Sequence, residues 1–217
     1  MNASLFVSYL LFCVVMTCTP GPNNALVMLS GARFGISKTL PLVLGIAFGV
    51  AVQLFAIGIG LNQVFLALPQ LQFILSLIGT AYILWLAWKI ASSGPLNIEL
   101  EQKPSMGFLQ GALFQWVNPK AWIISISTIA TYFALNHHVS DILYAALILM
   151  VISIPCVGVW AVGGLFLRQY LMKPRFALSF NIMMAIALLV AVLPATLKLI
   201  STSEHKNATV LKEKTAQ

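Results

Sequence analysis

The chain has 217 residues, 60% of them hydrophobic and only 8% charged, with a formal net charge of +7 and a mean hydropathy of +0.95. So few charges cannot cover the surface of a soluble domain of this length. The composition predicts an all-α polytopic membrane protein in the lipid bilayer and excludes a soluble enzyme or a nucleic-acid partner.

The first apolar segment covers about Ser4 to Ala32. It lacks a basic leading region and a small-x-small cleavage site and continues past Pro22, so it is taken as a retained span. As one continuous helix it would be ~43 Å long, well beyond a ~30 Å hydrocarbon core. Thr19-Pro20-Gly21-Pro22-Asn23-Asn24 interrupts it. Such a break is tolerated where the freed backbone groups meet protein or a wet cavity. The second segment runs from about Thr39 to Leu61, and its Gly45-x-x-x-Gly49 allows close helix approach. Asn62-Gln63 and Pro69 predict a turn before the third segment, about Gln70 to Trp88. Trp85, Trp88 and Lys89 suit an interfacial anchor at its end.

The fourth segment, about Gly107 to Ala134, carries the second interruption, Trp116-Val117-Asn118-Pro119-Lys120-Ala121-Trp122. Asn118 suits an N-cap and Pro119 the first helical position. The fifth segment covers about Ile142 to Leu167 and the sixth about Phe176 to Leu197; Pro155 and Gly158 are expected to bend the fifth, Pro194 the sixth. Gln53, Gln110 and Asn181 are expected to bond between helices. The tail, 201–217, is polar and expected to be disordered.

Basic residues cluster on alternate connections. Arg33 and Lys38, Lys89 and Lys103, and Arg168, Lys173 and Arg175 mark one side, while Asn62–Pro69 and Leu135–Ser140 contain no Lys or Arg. The positive-inside rule puts the first set in the cytoplasm and both termini outside. Pro22 and Pro119 lie 97 residues apart. An odd number of crossings separates them, which predicts two inverted three-helix repeats, about residues 1–91 and 105–200, within one transporter domain spanning 1–200. Paired breaks of this kind point to a transporter's substrate site, with each helix restart offering amides and a positive dipole end to an anionic group.

The candidate substrate-binding set is therefore Thr19, Gly21, Pro22, Asn23, Asn24, Gln115, Asn118, Pro119 and Lys120. Lys120 is the one formally charged side chain deep in a segment, and inserting an unpaired ammonium there costs at least ~2.5 kcal/mol. It is expected to hold a substrate carboxylate or to exchange the coupling proton; the plainer alternative is a structural charge donating to carbonyls freed at Pro119. No Asp or Glu lies within a segment, and neither His-Glu-x-x-His nor a phosphate-binding glycine loop is present. No enzyme activity, cofactor or metal is expected. Cys13, Cys18 and Cys156 form no disulfide framework.

The two breaks, with the run Gly79 to Lys89, resemble the LysE/RhtB family of amino-acid exporters, over about Ser4 to Leu199. The resemblance implies a bacterial inner-membrane carrier that exports amino acids or derivatives against protons. The Gly79–Lys89 run is similar to the branch exporting cysteine and O-acetylserine. Many family members have Asp where this chain has Asn23, so a neutral zwitterion such as cysteine, O-acetylserine, threonine or homoserine is expected over a basic substrate. A metal-ion exporter on a similar scaffold and a non-transporting membrane assembly protein are the alternatives, and homo-oligomerisation stays open.

Overall fold

The computed structural model describes residues 3–61, 69–95, 106–133 and 138–190. Among them every regular element is helical: α1 Ala3–Cys18, α2 Pro22–Ala56, α3 Pro69–Ala91, α4 Phe108–Phe114, α5 Pro119–Tyr132 and α6 Val139–Leu171, then α7 Pro174–Val190. A π turn, Ile57–Leu61, ends α2. The stretches Pro22–Gly60 and Val139–Leu171 are long and apolar enough to cross a membrane. The Asn62-Gln63 turn, the loop through His137, Pro194 and the tail lie outside the described residues.

α2 is not one rod. Gly35 has φ 78° and ψ 175°, on the side of the backbone map that glycine enters without a Cβ clash. Across it the hydroxyls of Ser30 and Thr39 meet at 2.9 Å, whereas nine residues of straight helix would span ~13 Å. Val27 also shares an apolar cluster with Leu42, Val43 and Ile46. The chain therefore doubles back at Gly35, between Arg33 and Lys38. The connection expected between the first two segments is thus made by a single non-helical residue.

Small residues set the spacing of the bundle. A Cβ on Gly45 or Gly49 would run into the backbone of α4 at Phe108 or Ala112, so this pair serves packing within the chain. Gly31 and Gly164 let α2 and α6 touch in the same way, against Ala161 and Met28. α1 turns Tyr9, Cys13 and Thr17 inward, a stripe at helical spacing. Tyr9 donates its hydroxyl to the Ala145 carbonyl at 2.8 Å and packs with Leu54, Ile124 and Leu149. A second core joins α3 to α7 through Ile83, Leu86, Phe180 and Leu188, and Asn181 donates to the Ser93 carbonyl at 2.9 Å. Outward faces are apolar as well: Leu109, Tyr144, Val159 and Phe166 are exposed, which suits lipid rather than water.

α6 stays helical through Pro155 and Gly158, and one local expectation changes. Gln110 does not reach a neighbouring helix; its Oε1 accepts from the Gly107 amide at 2.7 Å and caps α4. Lys89 folds its ammonium over the Trp85 ring, 4.9 Å from the centroid, a cation–π pair near the end of α3.

Candidate substrate site at the two helix breaks

Both interruptions exist, and the fold brings them together. The first separates α1 from α2, with Gly21 as N-cap and Pro22 opening the helix. The second separates α4 from α5, with Asn118 as N-cap and Pro119 opening the helix. A proline at the first helical position gives up an amide that had no intrahelical partner, so the helix restarts without loss. Asn118 Oδ1 accepts from the Lys120 amide at 3.1 Å, while Gly21 offers no side chain for capping. The amides that open α2 therefore stand without the cap that α5 has.

Lys120 joins the breaks. Its Nζ donates to the Thr19 carbonyl at 2.7 Å, to Thr19 Oγ1 at 2.8 Å and to the Pro20 carbonyl at 3.2 Å. An ammonium has three protons, and this cradle supplies three acceptors. The carbonyls belong to the opposite break, not to the one at Pro119. Ending α1 before its last carbonyls are satisfied leaves them free to accept, and the cation suits the negative end of that helix. Gly21 makes room for the lysine: a Cβ there would sit 2.9 Å from Lys120 Cδ and 3.2 Å from Nζ.

A second link is neutral. Asn23 Nδ2 donates to Gln115 Oε1 at 2.9 Å, and Gln115 Nε2 donates back to Asn23 Oδ1 at 3.0 Å. Gln115 Nε2 also reaches the Gly111 carbonyl at 2.9 Å. Gln53 Nε2 satisfies the Gln115 carbonyl at 3.0 Å, so a residue of α2 closes the turn that follows α4. Asn24 works locally: its Nδ2 donates to the carbonyls of Thr17 at 2.9 Å and Thr19 at 2.7 Å. Its Oδ1 is buried with no partner, as is Gln53 Oε1.

All nine expected residues thus lie at the junction. What flanks it is not marked by any motif. A cavity of ≈ 200 Å³ opens beside Pro20 and Gly21, bounded on its far side by Trp160 and by Met183 and Met184 of α7. Trp160 is held in place by its indole N–H, which donates to the Cys18 carbonyl at 3.2 Å. These residues look like ordinary span residues in the sequence; only the approach of α6 and α7 to the first break gives them a place. The three cysteines are free thiols, with Cys13 and Cys156 buried.

Comparison with known proteins shows which family the chain resembles. The family model described as LysE type translocator matches residues 14–199, which include both breaks. A cysteine/O-acetylserine efflux protein of Klebsiella pneumoniae is 32% identical over 179 residues, covering 81% of this chain and 90% of that protein. The protein of the same name in Escherichia coli O157:H7 is 29% identical over 192 residues, covering 87% and 96%. One from Salmonella paratyphi A is 32% identical over 133 residues, covering 61% and 67%. No solved structure matches. The chain is a membrane protein of the LysE type translocator family.

Proposed function

We propose that this protein exports small neutral amino acids or their derivatives, cysteine and O-acetylserine among them, from the bacterial cytoplasm across the inner membrane in exchange for protons. The named relatives are efflux proteins for those two solutes. In this reading six crossings form two inverted repeats, about residues 1–91 and 105–200, with both termini outside.

The observation that carries the reading is the three-oxygen cradle around Lys120 Nζ. Thr19 O, Thr19 Oγ1 and Pro20 O hold one ammonium, and an amino acid brings another. The two cations compete for the same acceptors. The substrate's carboxylate is drawn to the uncapped amides opening α2 between Gly21 and Asn24, where the helix dipole is positive. The Asn23–Gln115 pair fixes the first turn of α2 beside it. A neutral Asn23 leaves the site without a counter-charge for a basic side chain.

Competition has the sign that antiport needs. Were Lys120 to hold the carboxylate as a cation, its proton would leave with the substrate, which is symport. In the cradle, the incoming α-ammonium displaces the lysine ammonium, and Lys120 gives up its proton as it withdraws. Reprotonation from outside returns the lysine to Thr19 and Pro20 and expels the substrate. Each cycle moves one substrate out and one proton in.

Uptake of labelled neutral amino acids into everted vesicles, with and without an imposed pH gradient, tests this. Lys120→Gln has no proton to exchange, and Lys120→Arg does not release one. Both should lose gradient-driven uptake at normal protein abundance. Unchanged dependence on the gradient in Lys120→Gln would remove the coupling role. If Arg restored transport where Gln only lowered abundance, the charge would be structural.

A further inference from the structure

We propose that the cavity beside the first break is the substrate's side-chain subsite, and that it selects uncharged apolar or sulfur-containing side chains. This rests on the amino-acid reading and adds to it which side chains are accepted. The position follows from the backbone. Pro20, whose carbonyl accepts from Lys120, and Gly21, the N-cap of α2, both line the cavity. A zwitterion with its ammonium on the cradle and its carboxylate on the α2 amides therefore has its α-carbon at this wall. The side chain then points away from the polar pair and into the cavity.

The lining matches that occupant. Gly21, Ala25 and Met28 form one face of the first turns of α2, at intervals of four and three residues. Opposite them stand Trp160 of α6 and Met183, Met184 and Ala187 of α7. No ionisable side chain lines the cavity among the described residues, so a charged substrate side chain would be stripped of water with no partner. The polarizable methionine thioethers adapt to differing shapes and favour soft, apolar groups. At ≈ 200 Å³ the space exceeds the ~150 Å³ of an apolar cavity that admits benzene. It therefore has room for an unbranched thioether as well as for a thiol.

The test uses full-length protein in liposomes and follows counterflow of labelled L-cysteine under reducing conditions, with unlabelled competitors. L-Methionine should compete at least ~10-fold better than L-serine, the margin that one or two methylene-sized groups give in an apolar pocket, and L-aspartate should not compete. Ala187→Phe and Met184→Trp, which fill the cavity, should abolish methionine's advantage while serine still competes. A smaller change guards against misfolding. Ala187→Cys, in a background lacking Cys13, Cys18 and Cys156, should react with a membrane-permeant maleimide and be protected by methionine but not by aspartate. An unchanged methionine-to-serine ratio in the filled variants, or no protection of Ala187→Cys, with cysteine counterflow intact, overturns the subsite alone. Absence of cysteine and serine counterflow in the unmodified protein overturns the amino-acid reading and the subsite with it.

Discussion

The Asn23–Gln115 pair permits a quantitative test of whether the two breaks form one unit. Asn23→Ala deletes both reciprocal bonds, of 2.9 and 3.0 Å. Gln115 has no exposed surface. It would keep only the Gly111 carbonyl for its Nε2 and a long 3.5 Å contact from Asn118 Nδ2 for its Oε1. Interhelical side-chain hydrogen bonds in a bilayer average about 0.6 kcal/mol, with a ceiling near ~1.7 kcal/mol. Two of them give about 1.2 kcal/mol, roughly eightfold in the unfolding constant, and at most ~3 kcal/mol. Gln115→Leu removes the same bonds and the one to Gly111, so it should destabilise more. The double variant should be less damaged than the sum of the singles by about 1.2 kcal/mol, since the reciprocal bonds are lost only once. Reversible unfolding of the four proteins in bicelles measures this coupling. A value within ~0.3 kcal/mol of zero is the additivity expected of independent sites, and it would refute the idea that the pair ties the breaks together. Asn23→Asp adds a check on chemistry. A carboxylate keeps an acceptor for Gln115 Nε2 but faces Oε1 with a second oxygen, whereas a protonated carboxyl can donate as the amide did. Its stability relative to the parent should therefore recover as the pH falls.

Two further tests address packing and orientation. Gly49→Leu, whose Cβ would meet the Ala112 carbonyl oxygen and Cα, should separate α2 from α4 and sharply lower the yield of folded protein, whereas Gly163→Leu, which has open space around it, should not; equal yields in a detergent-stability assay would refute the close approach. Single cysteines at Lys38, Ser92 and Lys173 in a cysteine-free background should resist an impermeant thiol reagent in intact cells while one at Asn136 reacts, and labelling at Lys173 but not at Asn136 would reverse the proposed orientation.

Local chemistry placed the breaks. Proline cannot supply an amide to a helix interior, and glycine or asparagine before it suits an N-cap, so Gly21-Pro22 and Asn118-Pro119 could be read as helix restarts from the sequence alone. Lys120 stood out for the same kind of reason, because an ammonium among apolar residues needs partners wherever it lies. Composition was enough for the helical membrane class. Which partners Lys120 finds is a different matter. Thr19 and Pro20 lie about a hundred residues earlier in the chain, and no local pattern encodes a contact at that separation. A connection between Arg33 and Lys38 was legible from the end of one apolar segment and the start of the next, but that Gly35 alone makes it, with helix on both sides, shows only in the fold-back of α2. Gln115 looked like a neighbour of the second break, but its pairing with Asn23 and its backbone bond from Gln53 depend on how α2 crosses α4. Trp160, Met183 and Met184 carried no signal at all. Apolar residues in a span face lipid, core or cavity with the same composition, and only the packing of α6 and α7 against the first break decides among them.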